Sequence, residues 1–181
     1  MRHFIGRANA LFMILLISLS FPAEAGASDG VERAGDILQL VLPASAAVLT
    51  ISEHDREGFL QLAESGSLTL AVTYGLKYSI TAKRPDGSSH SFPSGHTSIS
   101  FSAAEFIRER YGWEYGIPAY LASSFVGYSR VQSKRHYTRD VIAGAAIGIG
   151  SSALFTTPYN GWQVQAAAGD SYYGICFSRR W

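Results

Sequence analysis

One cysteine, Cys176, stands in the 181 residues, so the chain can form no internal disulfide and build no cysteine-rich metal site. Its side chain reads as a small apolar filler. Surplus charge is equally scarce: 15 Lys and Arg face 14 Asp and Glu, a formal net charge of +1. A nucleic-acid binder needs excess cations to displace counterions from phosphates, and this near-neutral balance argues against that class. Internal repeats and low-complexity tracts are missing too, and the length fits one compact domain.

What is there begins with MRHFIGRANALFMILLISLSFPAEA. A basic start at Arg2 and Arg7, an apolar run from Ala10 to Phe21 and the small-x-small Ala23-Glu24-Ala25 predict a secretory signal over residues 1–25. An uncleaved anchor is the competing reading, but the run is short against the roughly 18 to 20 residues a span needs. Removing the signal takes the formal charge to zero, so any basic cluster in the mature chain is local. Export to the periplasm follows, with the inner membrane as a candidate surface of attachment.

From 37 to 52, 65 to 76 and 115 to 129 the chain carries no charged residue, and another such run begins at Val141. These stretches predict buried helices of a bundle, either soluble or seated partly in a membrane. Pro43 is expected to kink or split the first of them. RPDGSSHSF, from Arg84 to Phe92, reads as an irregular loop. After Pro158 the pattern alternates, with Gly169-Asp170 at a turn position. The expected fold is therefore all-α, a bundle of about five or six helices over residues 26–157 with its active site at one end, and a hairpin-like tail over 158–181.

Three clusters carry chemistry. FPSGHTSISFSA, from Phe92 to Ala103, opens with residues a plain core helix does not need. Pro93 suits a first helical turn, and Ser94 and Gly95 offer a hydroxyl and N–H groups at the positive end of the helix dipole, where anions bind. His96 adds a group that exchanges a proton near neutral pH. Runs 97–111 and 115–129, each about 22 Å long as helices and joined by a turn near Gly112, form equal antiparallel arms. That brings Ser129 and Arg130 back beside His96, followed by His136 and Asp140 four apart on one helix face, where the carboxylate can orient the imidazole. Lys77 and Arg84 follow the run 65–76, so that with Arg130 they gather three cations around one anion. The arrangement reads as phosphoryl transfer without a metal or cofactor.

Lys-x6-Arg-Pro (Lys77, Arg84, Pro85), Pro-Ser-Gly-His (Pro93 to His96) and Ser-Arg-x5-His-x3-Asp (Ser129, Arg130, His136, Asp140) resemble the three-part signature of the type 2 phosphatidic acid phosphatase superfamily. That superfamily holds lipid phosphatases, class A acid phosphatases and vanadium haloperoxidases. The resemblance spans the middle third of the chain. It implies that His136 attacks phosphorus to form a phosphohistidine, that Asp140 orients it, and that His96 protonates the leaving oxygen and then activates water. It implies that Lys77, Arg84, Ser94, the Gly95 N–H and Arg130 hold the phosphoryl oxygens. One departure is the loop from Pro85 to Pro93, shorter than in many members.

Taken singly, each cluster has an ordinary reading: a helix start for Ser94-Gly95, a solvated contact for His136 and Asp140, the flank of a membrane-facing helix for Lys77 and Arg84. Their joint spacing favours the site. His54 and His90 fall outside the signature as surface residues, His90 beside the site; Lys83, Lys134, Arg135 and Arg139 are solvated charges or widen the positive field. The expected activity is hydrolysis of a phosphomonoester or pyrophosphate, preferably lipid-linked. Three rivals stay open: a soluble non-specific periplasmic acid phosphatase, a vanadate-dependent oxidant, and a non-catalytic phosphate-binding or membrane-structural protein.

Overall fold

The computed structural model describes residues 27–159, 162–169 and 172–179; the leader expected over 1–25 lies outside them. Five helices follow in chain order: α1 Ala27–Ser52, α2 Arg56–Ser79, α3 Gly95–Tyr111, α4 Trp113–Gln132 and α5 Thr138–Phe155. The two strands β1 Trp162–Gly169 and β2 Tyr172–Arg179 then pair antiparallel, Gly169 opposite Tyr172. α3 is the central helix and packs against the other four. Gly112 alone separates it from α4; the two arms, expected equal from the sequence, have 17 and 20 residues.

Pro43 does not split α1, which is one helix of 26 residues. Burial of Leu42, Ala46 and Leu49 against Phe106 and Ile107 of α3 outweighs the hydrogen bond lost at proline. The Ser45 hydroxyl, at the same place, caps the Val41 carbonyl at 2.7 Å. Because α1 continues beyond the uncharged run, its residues 29–52 make a helix long and apolar enough to cross a membrane, with mean hydropathy 1.6.

Around its apolar core the bundle also buries many hydroxyls and turns large apolar side chains outward. On α2 the buried face is Gln61, Ser65, Thr69 and Thr73, spaced by four, whereas Phe59, Leu60, Leu70, Tyr74 and Tyr78 face outward. Hydroxyls join the helices: Thr73 Oγ1 donates to Ser98 Oγ at 2.9 Å and Thr69 Oγ1 to Ser102 Oγ at 3.0 Å. Small side chains let α5 come against α3, and a Cβ added at Gly144 would stand 2.6 Å from the Ser94 carbonyl oxygen. Such small, hydroxyl-rich contacts are how helices pack where the surroundings are as apolar as leucine.

At the end where α1 meets α2, Asp55 and Arg110 form a buried ion pair. Arg110 donates from Nε and Nη2 to the two carboxylate oxygens, at 2.7 and 2.6 Å, and from Nη1 to the Thr157 carbonyl at 2.7 Å. The Tyr111 hydroxyl and the Gly58 N–H, each at 2.9 Å, complete the shell of Asp55. This network ties the α1–α2 turn, the end of α3 and the segment after α5 together.

Candidate active site

The opposite end gathers the start of α1, the end of α2, the start of α3, the end of α4 and the start of α5. A cavity of about 380 Å³ opens there, lined by Glu32, Asp36, Arg84, His96, Arg130, Arg135 and His136. Four residues expected from the sequence therefore share one wall system: Arg84, His96, Arg130 and His136. The helix ends bring them together, since antiparallel arms return the chain to one height.

His136 sits in the turn between α4 and α5, its side chain 3% exposed, and its N–H donates to the Arg130 carbonyl at 3.1 Å. Its Nδ1 faces Asp140 Oδ2 at 3.6 Å, just beyond hydrogen-bond length, and has no partner. Asp140 is fully buried in the first turn of α5, where Oδ2 accepts from the Ser91 hydroxyl at 2.5 Å and the Tyr137 N–H at 3.1 Å. Burial first, then the cations Arg84 and Lys77, push the imidazole down to about 4 against the pull of Asp140. His136 is consequently neutral at ordinary pH, with a free electron pair to offer.

His96 stands in the first turn of α3, partly exposed, with Nε2 3.1 Å from Asp36 Oδ1. Burial and Arg130 hold its pKa below 6.5, while Asp36 works in the other direction. Arg130 is buried; its Nη1 donates to the same Asp36 oxygen at 2.7 Å and its Nη2 to the Glu32 carbonyl at 2.7 Å. Arg84 leaves the loop after α2, and its Nε is buried with no hydrogen-bond partner.

The other expected residues sit around the cavity instead of lining it. Lys77 Nζ donates to the carbonyls of His90 and Pro93, both at 2.9 Å, and so pins the loop that leads into α3. Ser94 is buried at the N-cap of α3, its N–H donating to the Asp140 carbonyl at 3.0 Å and its hydroxyl accepting from Thr97 at 2.9 Å. Gly95 is the first residue of that helix. His54 and His90 are exposed. Among the described residues, no group of three or more His, Cys, Asp or Glu is placed to hold a metal ion.

Sequence reading missed Glu32, Asp36 and Ser91. The first two carry a weak signal, an acidic i, i+4 pair ahead of an apolar helix, which more often marks a solvated face. Arg135, read as a solvated or field-widening charge, donates to Glu32 Oε1 at 2.8 Å and lines the cavity.

The cavity is framed by two histidines, one backed by a buried aspartate, and by arginines from two elements, and residues 72–163 match the PAP2 superfamily. The chain belongs to that superfamily and is a phosphatase. It is 31% identical to a lipid A 4'-phosphatase of Helicobacter pylori over 198 aligned positions, covering 97% of this chain and 99% of that one. The crystal structure of Aquifex aeolicus LpxE superposes with a TM-score of 0.63 at 19% identity, over 80% of this chain and 92% of that one. A transmembrane PAP2-type phosphatidylglycerolphosphate phosphatase from Bacillus subtilis gives 0.57 at 22% identity, over 86% and 85%. Both share the all-α bundle.

Proposed function

We propose that this chain removes the phosphate of a phosphorylated lipid at a membrane surface, passing the phosphoryl group through His136. The observation that carries this reading is the neutral, buried His136, with Asp140 behind it and Arg84, Arg130 and His96 around the cavity it faces. Arg84 and Arg130 hold the phosphoryl oxygens, joined by the N-terminus of α3 at Ser94 and Gly95. Lys77 contributes from behind, by fixing the loop and by its charge. His136 attacks phosphorus in line, and the bond from phosphorus to the substrate oxygen breaks as His96 gives that oxygen its proton. Nδ1–H of His136 closes by about half an ångström onto Asp140, which stabilises the imidazolium as it forms. Water, deprotonated by His96, then displaces the histidine and releases inorganic phosphate.

The lipid part rests on the outer surface. Leu40, Val48, Ile51, Leu60, Leu121, Ile142 and Leu154 point outward from four helices, an area of apolar side chain that water does not favour and a bilayer does. Charged site groups lie at the bundle end, clear of that apolar belt. The leader-like residues 1–25 set this end on the outer side of the cytoplasmic membrane. Lipid A, the substrate in the name of the Helicobacter pylori relative, is the first compound to try.

The test is phosphate release in EDTA by purified protein from lipid A and phosphatidic acid in mixed micelles, beside a water-soluble aryl phosphate. A strong preference for lipid supports the reading. Equal rates on all three favour a non-specific phosphatase, and no release from any of them overturns it.

A further inference from the structure

Glu32 and Asp36 lie outside both the signature and the matched residues 72–163, yet they form one wall of the cavity. α1 reaches that position because Gly35 has no side chain: a Cβ there would stand 2.0 Å from Ser129 Oγ and 2.8 Å from Arg130 Nη2. One oxygen of Asp36 then takes hydrogen bonds from two site groups, Arg130 Nη1 at 2.7 Å and His96 Nε2 at 3.1 Å. Glu32 is occupied differently, its carbonyl by Arg130 and its carboxylate by Arg135.

We propose that Asp36 is a positioning residue for the phosphatase reaction, holding His96 by Nε2 so that Nδ1 gives the proton to the leaving oxygen and later takes one from water. The proposal rests on the phosphatase reading above. With Nε2–H fixed on a carboxylate, protonated His96 has one proton left to give, on Nδ1; after transfer, the neutral ring keeps Nε2–H on Asp36 and presents a basic Nδ1. The proton delivered to the leaving oxygen is balanced by the one accepted from the hydrolytic water. The chain thus has two carboxylate–histidine pairs, Asp140 with the attacking ring and Asp36 with the proton-carrying ring.

The groups facing His96 are Asp36 and Glu32 from α1, Arg84 from the α2–α3 loop, Arg130 from α4, and Arg135 and His136 from the α4–α5 turn. Arginines outnumber carboxylates there, and Asp36 is the carboxylate in contact. Removing its charge leaves the cations less opposed, so the protonated form of His96 is lost at lower pH.

The experiment compares the full chain with Asp36→Asn and Asp36→Glu in detergent. The His96 ring titration is followed by NMR, assigned by its loss in His96→Asn, and turnover of an alkyl phosphate and of p-nitrophenyl phosphate is measured against pH. In Asp36→Asn the His96 titration is expected to fall by about one pH unit, the low end for an opposite charge in contact with a partly exposed ring. The declining limb of the alkyl-phosphate profile moves down by the same amount, and its kcat at neutral pH drops about tenfold. kcat for p-nitrophenyl phosphate, whose leaving group needs no acid, falls less than that for the alkyl phosphate, since only the activation of water is weakened; KM rises for both as Arg130 loosens, and Asp36→Glu recovers part of the alkyl kcat. An unshifted His96 titration, or equal kcat losses on both substrates with unmoved limbs, overturns the proposal. A wild-type chain without turnover contradicts the phosphatase reading instead, and the ring titration still decides whether Asp36 governs His96.

Discussion

At the Asp55 end of the bundle, every polar atom of the ion pair has a partner: Arg110 spans both carboxylate oxygens and the Thr157 carbonyl, and Tyr111 and Gly58 fill what remains. At the cavity end, Arg84 Nε, His136 Nδ1 and Asp140 Oδ1 are buried without one. Both ends remove charge from water, which is costly in each case. The first recovers that cost internally and fastens three parts of the chain. The second leaves Arg84 with a donor to spare and His136 and Asp140 just short of a hydrogen bond, beside a cavity. Closed polarity holds the fold, whereas open polarity is what the proposed site offers a substrate.

The largest effect that separates the two ends is expected from His136→Ala. Turnover falls by about 10⁴-fold or more, as for loss of a nucleophile elsewhere, while the unfolding midpoint stays within a few degrees of wild type. Equal activity would place the chemistry on another group. Asp55→Ala should do the reverse: it strands Arg110 as an uncompensated buried charge, lowers stability by about 3–5 kcal/mol, and leaves turnover per folded molecule unchanged. Thermal unfolding in detergent and active-site-normalised rates check both halves, and a drop in the normalised rate would join the ends that the account keeps apart.

Gly144→Ala bridges the comparison. Its Cβ meets the Ser94 carbonyl oxygen, so α5 and the start of α3 must shift, at about 1–3 kcal/mol. Stability and turnover are expected to fall together, turnover less than for His136→Ala; a stability loss with unaltered kinetics would show that the start of α3 need not be fixed.

The pH dependence is the smallest effect and the sharpest discriminator. In the proposed mechanism His136 attacks as the neutral ring, so the rate is expected to rise with pH through about 4 and to decline again as His96, whose pKa is held below its ordinary value, loses its proton. Although burial pushes Asp55 up, Arg110, Gly58 and Tyr111 hold its carboxyl below 3.8. The sign follows: stability from Asp55 is complete above its unfolded value and is lost as pH falls below about 4. His136, depressed in the folded chain, lets the unfolded chain bind its proton first, so stability also declines gently from 6.5 toward 4. Between those values rate therefore changes steeply while the chain stays folded. Rate and folded fraction falling in parallel over that window would contradict the separation.

Much of the candidate site's placement was legible because its residues are pinned to helix ends. Ser94, Gly95 and His96 open α3, Arg130 closes α4, and His136 and Asp140 straddle the start of α5, so local spacing plus antiparallel geometry brings them together. Asp36 was not legible, since its position depends on how α1 docks through Gly35, a contact between residues nearly a hundred positions apart in the chain. Lys77 was legible as a cation near the site but not as the group that pins the His90 and Pro93 carbonyls. That Pro43 would not split α1 was not legible because propensity is local, whereas the burial that keeps α1 continuous comes from α3. The pairing of Asp55 with Arg110 carried no local signal, as the two stand 55 positions apart in the chain.

The most direct test follows the phosphoryl group itself. A substrate labelled with ³²P at the scissile phosphate is mixed with protein and quenched in alkali, which spares phosphohistidine, and the labelled peptide is mapped. Label is expected on His136, turning over at the rate of phosphate release and absent from His136→Ala. Label on another residue, or full turnover through a species that never carries it, would contradict the account.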